Sequence, residues 1–597
     1  MNTKDTANEQ PGADVATLLN DCADDSAEPK KVSKRKACRS LSSVSTKISK
    51  LHGDPNDFGD NVELCGMDNP CGSENIREAI AKMLIGNELN LECVESERLK
   101  HFCRILEPRF KVPSPVNVQD DCLNLYLKEK NKLKDVLIES TQSVCLSITT
   151  LTSKQKLSYM GLAAHYVDSD WELQKRILKF CQVPNHKVET IGKTVDKSLI
   201  EWNIRKIFTV TVNNASSTDG VVAYLSNRVT PILKPEFMQM RYCSDIPVLI
   251  VKDGLKYYHE SISRIRNAIR YVTSSSARFK KFKTCIEHEK IISENFVFLD
   301  VPNSWESTCL MLNVAVAFEK AFERLGNEDT QFREFVDGER APSDTDWKIA
   351  RACINLKKLY DSSLVLFEDY YVTLNLVVVQ VAWISKRLKS WCNSKDLHLK
   401  NMAYNLRKKC EKHWKNMINH VNPLLFVAVL LDPRYLEKGL KNMSLLICDD
   451  ELLADELTKK ARKTLENLYE HYTMLYSTSN GEKDMKNIDY DKLNSFEHFM
   501  LGEDQKITEL ERYLSQFRHP SYNDFNILIW WKVHSFCECE ILLRIVRDVF
   551  AIPVSFTFSE TDCCSSDMIL DLSNNTLLSS KTIETLICAK NWLDPLA

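Results

Sequence analysis

Val144-Cys145-Leu146-Ser147-Ile148 opens a run of short apolar segments that decides the fold. A second strand is expected over Leu157 to Tyr166 and a third within Leu173 to Val183, where apolar, aromatic and β-branched residues dominate. Ile191, Val195, Leu199 and Trp202 then recur every three or four residues, which puts an apolar stripe on one helix face. Ile207-Phe208-Thr209-Val210-Thr211-Val212 reads as a further, buried strand.

Three strands, a helix and a fourth strand is the order of the ribonuclease-H-like fold, in which the first and fourth strands lie side by side. Working outward, residues 75–140 read as a helical lead-in region and 141–230 as the first part of the core. Residues 231–505, rich in Leu, Lys, Glu and Ile, read as a mostly helical insertion, and 506–597 as a C-terminal region. The expected class is α/β: a ribonuclease-H-like mixed sheet core, interrupted by a large, mostly helical insertion and preceded by a disordered arm over residues 1–70.

Composition agrees with this organisation. A chain of 597 residues has room for several domains, or for one core with a large insertion. Only 15 Gly and 18 Pro disfavour a turn-rich all-β protein. A net charge of −3 confines any nucleic-acid contact to local basic patches. The first twenty residues are polar and carry acids, and no apolar run approaches ~20 residues, so neither a signal peptide nor a membrane span is expected. The 21 cysteines follow no framework spacing and read as reduced thiols of the cytosol or nucleus.

The arm has too few large apolar groups to offset the entropy of ordering. Within it, Pro29 to Gly53 carries Lys30, Lys31, Lys34, Arg35, Lys36, Arg39, Lys47 and Lys50 without an acid. Such a cluster reads as a nuclear-import signal or a DNA-contacting arm, against a solvated tail without a partner.

The C-terminal region carries the most specific motif. Phe525-Asn526-Ile527-Leu528-Ile529-Trp530-Trp531-Lys532 is followed by Arg547-Asp548-Val549-Phe550-Ala551-Ile552-Pro553-Val554-Ser555 and then Ser559-Glu560. This resembles the dimerisation region of hAT-superfamily DNA transposases, and most closely their plant, RICESLEEPER-type branch. Ile76 to Phe110, Ala164 to His186, Thr209 to Ser217, Trp305-Glu306-Ser307-Thr308 and Leu431-Asp432-Pro433-Arg434-Tyr435 extend the resemblance in order over about Asn75 to Leu593. Relatives often begin with a BED-type zinc finger, which needs a close cysteine pair and a downstream histidine pair. This chain has no Cys-x-x-Cys and no two histidines three to five apart, so no finger is expected.

The resemblance implies an Asp-Asp-Glu triad holding two Mg²⁺ ions roughly 4 Å apart. The first aspartate is expected just after strand one, where Ile148-Thr149-Thr150-Leu151-Thr152-Ser153 puts Thr149. The second opens an Asp-Asn-Ala-Ser-like segment, where Asn213-Asn214-Ala215-Ser216 puts Asn213. Glu560 alone remains, and its favoured reading is a surface carboxylate. A hydroxyl and an amide supply no charge to hard divalent ions, so no metal site, cofactor or catalysis is expected. Asp168 and Asp170 occur in relatives that also keep the triad and are poor substitutes.

In the insertion, Cys243 stands with Asp245 where relatives carry histidine. Trp305 keeps the position of a tryptophan that stacks on an extruded base in active relatives; its other reading is core. Ser261 to Ile286 carries Arg264, Arg266, Arg270, Arg278, Lys280, Lys281 and Lys283 with Tyr271, Phe279 and Phe282 and no acid. It is the expected DNA contact, through salt-dependent phosphate binding, unless its charges are merely a solvated helix face. A second run, Arg407 to Lys415, has interspersed acid and is weaker.

Ile541, Leu542, Ile545, Val546, Val549 and Phe550 form a broad apolar face, and Trp530 and Trp531 add aromatic area. A homodimer through Trp530, Trp531, Leu542, Ile545, Val546 and Val549 is expected, against completion of the monomer core. The sequence thus reads as a catalytically inactive, DNA-binding and dimerising nuclear protein, a domesticated regulator. The alternatives are a decayed element product and, lacking visible ligands, an active transposase or nuclease.

Overall fold

The computed structural model describes residues 71–593 apart from 140–142, 154–155, 213–215, 227–229, 232–234, 242–253, 294, 302–303, 337–340, 365–371, 421, 478–507, 517–518, 520–524, 535–538 and 555–578. The N-terminal arm, Asn213, the Cys243 segment and Glu560 therefore lie outside the described residues.

Three helices come first: α1 Cys71–Gly86, α2 Glu97–Leu106 and α3 Pro115–Glu139. The sheet region follows as β1 Val144–Thr152, β2 Ser158–Val167, β3 Leu173–Val183, α4 Val188–Trp202, β4 Lys206–Val212, α5 Ser216–Ser226, β5 Thr230–Pro231, α6 Pro235–Met238 and β6 Gln239–Arg241. Helices then run as α7 His259–Thr273, α8 Ser276–His288, α9 Trp305–Ala315, α10 Glu319–Glu328, α11 Thr330–Val336 and α12 Asp344–Leu364. They continue as α13 Asn375–Trp391, α14 Leu397–His420, α15 Leu424–Leu430, α16 Leu436–Cys448 and α17 Glu451–Ser477. The C-terminal set is α18 Glu509–Leu514, α19 Ile527–His534, α20 Glu540–Phe550 and α21 Ser580–Leu593. Residues 71–81 and 92–118 belong to a small unit in which Lys100 and Arg104 pair with Glu97 along α2. Everything below concerns the larger unit, residues 82–91 and 119–593.

The sheet has the order β3-β2-β1-β4-β5, with β6 also paired to β4. β1, β2 and β3 form an antiparallel meander, and β4 runs parallel to β1 with Leu146 opposite Val210 and Ile148 opposite Val212. This is the ribonuclease-H-like arrangement that the sequence implies. β1 outruns its expected end at Ile148, because antiparallel pairing with β2 continues out to Thr152 opposite Ser158.

Pairing register assigns the two faces. Leu146, Ile148, Leu162, Ala164, Val210 and Val212 pack under α4 and α5. Gly192 on α4 allows this, since a Cβ there would lie 2.6 Å from the Tyr224 ring on α5. The opposite face, with Cys145, Val167 and Phe208, shares a core with α13, α15 to α17, α19 and α20.

β3 is an edge strand, and α21 covers it. The Ile177 N–H donates to Asn591 Oδ1 at 2.8 Å, and Asn591 Nδ2 donates to the Lys175 carbonyl at 3.3 Å. Trp592 Nε1 donates to the Ile177 carbonyl at 2.9 Å. The asparagine amide thus pairs with the strand as another strand would, and an open edge is closed.

The described helices of 231–505 feed two hydrophobic cores. Residues from Leu255 to Leu406 build a core of their own, around Tyr271, Phe282, Phe318 and Trp347. Helices from Leu374 to Tyr472 instead join the sheet's core. α13 serves both, offering Val377, Val378 and Val381 to one and Ile384 and Leu388 to the other.

Candidate functional site

On the face opposite α4 and α5, register aligns Cys145, Ser147 and Thr149 of β1 with Ala163 and His165 of β2 and Thr211 of β4. Thr149 lies inside β1, opposite Gly161, and is buried. Its neighbour Ile148 pairs with Val212, the last residue of β4, so Thr149 stands where the resemblance puts the first aspartate. Below it, Ser147 Oγ and His165 Nε2 are hydrogen-bonded at 2.8 Å. Burial, with the nearby Lys175 charge, pushes the His165 imidazole down to about 3, so it is neutral. The described part of this face is lined by neutral hydroxyls and a neutral ring. Around Thr149 its chemistry is hydrogen bonding; the Asp548 carboxyl of α20 meets this face at Ser143, just before β1, and among the described residues no three His, Cys, Asp or Glu side chains gather to hold a metal ion.

Asp168 is occupied elsewhere. Its Oδ1 accepts the Asp170 and Glu172 N–H groups, both at 2.9 Å, and its Oδ2 accepts Gln174 Nε2 at 2.7 Å. It organises the β2–β3 turn, where Trp171 takes a positive φ of 65°. Gly161 faces Thr149, and Asp168 lies seven residues further on, just past the end of β2, roughly 20 Å at strand rise. Neither it nor Asp170 can replace a ligand at Thr149.

The Leu431-Asp432-Pro433-Arg434-Tyr435 motif is a structural joint. Asp432 is fully buried and satisfied by Arg434, with Nη2 at 2.8 Å and Nε at 3.0 Å, and by Asn375 Nδ2 at 2.7 Å. The main-chain carbonyls at the end of α15 accept from the C-terminal region: Leu430 from the Tyr513 hydroxyl and Leu431 from Trp531 Nε1, each at 3.1 Å. Pro433 accepts from the His519 N–H at 3.0 Å.

The basic strip divides in two. Arg264 donates through Nε and Nη2 to buried Asp346 at 3.1 and 2.8 Å, and Arg266 grips Asp300 in a two-pronged pair at 2.7 and 2.6 Å. Burial opposes both acids' charge, yet these arginine contacts hold both carboxyls below their usual range. Arg264 and Arg266 are therefore ties within the helical core and not phosphate contacts, a correction to the expectation. Their partners lie 82 and 34 residues away, beyond any sequence window. Arg270 is exposed and bonded to Asn267, while Arg278 lies 4.1 Å over the Tyr271 ring. Lys280, Lys281 and Lys283 are exposed on α8, and Lys281 also approaches Asp329 at 3.4 Å. Trp305 is half-buried at the start of α9, edge-on to Tyr360 at 4.7 Å.

The expected dimer residues are corrected as well. Trp531, Leu542, Ile545, Val546 and Val549 are all buried within the monomer, packed with α15 and α17. Trp530 is half-buried, stacked on His534 at 3.8 Å. Among the described residues of this region, the large exposed apolar ones are Ile529 (57% exposed) and Val533 (61%), one helical turn apart on α19.

One buried group escaped sequence reading. Asp548 of α20 accepts the Ser143 and Tyr472 hydroxyls on the same oxygen, Oδ2, both at 2.5 Å. An aspartate inside the apolar stripe of α20 was the available signal; its partners were not legible.

Fold and site together define a ribonuclease-H-like protein with a helical insertion and a C-terminal helical region, and with a buried threonine, Thr149, where the resemblance puts the first carboxylate. Four family models match in chain order: the ZBED1 RNase-like domain over 147–234, the ZBED1 RNase-like helical domain over 241–356, the hAT-like transposase RNase-H fold over 375–472, and the hAT family C-terminal dimerisation region over 509–593. Zinc finger BED domain-containing protein RICESLEEPER 2 of Oryza sativa subsp. japonica is 28% identical over 546 residues, 86% of this chain and 74% of the relative. A putative AC transposase of Zea mays is 29% identical over 531 residues, 85% and 64% of the two chains. DAYSLEEPER of Arabidopsis thaliana, another BED domain-containing protein, is 26% identical over 540 residues, 87% and 74%. The chain belongs to the hAT transposase family and is related to the RICESLEEPER and DAYSLEEPER proteins.

Proposed function

We propose that this chain is a catalytically inactive, transposase-derived nuclear protein that binds DNA and self-associates, acting as a regulator. The observation that carries the first part is Thr149: a buried, uncharged side chain on β1, beside the end of β4, where two-metal chemistry requires a carboxylate. Asn213 in the sequence extends the same deficit. DNA contact rests on the exposed lysines of α8, and nuclear location on the basic cluster between Pro29 and Gly53. Self-association rests on the matched dimerisation region, which leaves Ile529 and Val533 of α19 exposed.

Incubating the full chain with Mg²⁺ or Mn²⁺ and DNA carrying terminal repeats tests the catalytic part. No nicking or strand transfer is expected, and Thr149→Asp with Asn213→Asp restores at most a fraction. Metal-dependent nicks by the unaltered chain, lost in Glu560→Gln, overturn the reading. Mapping the tagged protein across chromatin tests the regulatory part: discrete sites support it, and their absence favours a decayed element product.

A further inference from the structure

Ser275 precedes α8, and its hydroxyl caps the helix by accepting the Arg278 N–H. Phe282, Cys285 and Ile286 turn inward to the helical core, and Lys280, Lys281 and Lys283 turn outward. Phe279 sits on the flank, half-buried, one turn before Lys283 and beside Lys280. Its ring meets that of Phe296 at 5.7 Å between centroids and 58° between planes. Phe296 is 53% exposed while its neighbour Val297 is buried, so an extended segment anchored by Val297 holds an aromatic ring at the surface.

We infer that the Phe279–Phe296 pair, flanked by Lys280 and Lys283, is a stacking platform for an unpaired base of single-stranded DNA. The inference rests on the DNA-binding reading above and adds strandedness to it. A duplex offers lysines its phosphates but keeps its bases stacked inside, so an exposed ring beside those lysines gains nothing from it. An unpaired base has a free π-face, and aromatic rings beside a backbone-tracking positive surface are how single strands are held without sequence preference. Among the described residues neither Lys280 nor Lys283 is engaged in an ion pair, so both ammonium groups are available to phosphate. Glu287 is the acid of α8 nearest Lys283, one turn further on and directed to solvent. A second copy of this chain fits the patch poorly, since two-fold pairing would set lysines against lysines.

Fluorescence anisotropy with the full chain, a labelled oligonucleotide and its duplex, across a salt series, tests this. The single strand is expected to bind more tightly. Phe296→Ala should weaken it roughly tenfold while leaving the duplex within about twofold, and Phe296→Trp should restore it. Because Phe296 is half exposed, its removal leaves the core intact; an unchanged melting temperature verifies that. Lys280→Ala with Lys283→Ala should weaken both forms and flatten both salt slopes, by about 1.8 for duplex and about 1.4 for the single strand. Equal loss on both forms in Phe296→Ala, or none on either, overturns the platform while leaving DNA binding standing. Failure of the unaltered chain to bind either form overturns both readings. Tighter binding to RNA of the same sequence overturns the assignment to DNA.

Discussion

The indole N–H of Trp531 donates to the main-chain carbonyl of Leu431 at 3.1 Å, across 100 residues of chain. Tyr513, in ring contact with Trp531 at 5.0 Å, donates to the preceding carbonyl, Leu430. These carbonyls end α15, whose seven residues are all buried and so have no water to satisfy them. The tryptophan that resembles an interface anchor is instead a helix cap within the monomer. Trp531→Phe keeps most of the ring but leaves the Leu431 carbonyl unpaired, at a cost of about 1–3 kcal/mol. The expected outcome is a lower denaturation midpoint with self-association unchanged. A variant as stable as the parent would show that this bond carries no weight.

Self-association should respond to α19 and not to α20. Ile529→Asp with Val533→Asp puts two charges on an exposed surface, and is expected to give a folded monomer near 69 kDa by light scattering coupled to size exclusion. Leu542→Asp buries an unpaired carboxylate in the core and should instead unfold or aggregate the chain. A dimer that survives the α19 pair would place the interface elsewhere.

The sheet was legible because its signals are local. β2 and β3 are bounded by turn residues, α4 carries its stripe within 15 residues, and β4 after Lys206 is an apolar and β-branched run. The role of the α20 stripe was not legible, because the same apolar face serves a monomer core or a dimer; only the placement of α15 and α17 decides which. The basic strip failed similarly at Arg264 and Arg266. A guanidinium's neighbours in sequence say nothing of an aspartate 82 residues on that folds against it. The residue at the expected first-ligand position, Thr149, was legible, since it needs only one strand position.

Asp548 gives the chain a pH dependence of unusual sign. Burial is the main influence and pushes its carboxyl up to about 6, only partly offset by the Ser143 and Tyr472 hydroxyls and by the charges of Arg544 and Lys206. An unfolded aspartate titrates near ~3.9. Between these values the folded chain binds more protons than the unfolded one, so this group's contribution is complete below the unfolded value and is lost as pH rises through the folded one. The salt-bridged acids Asp300 and Asp346, held low, act oppositely and fade on acidification, so the raw stability curve mixes both. Asp548→Asn separates them. Both hydroxyls donate to one oxygen, so an amide oxygen placed there keeps both bonds while removing the titration. The stability of the parent minus that of Asp548→Asn, from denaturant unfolding at successive pH values, should fall by on the order of 2 kcal/mol between about pH 4 and about pH 6 and then level off. Parallel curves over that window would mean that Asp548 is not protonated in the folded chain at any pH where the fold survives.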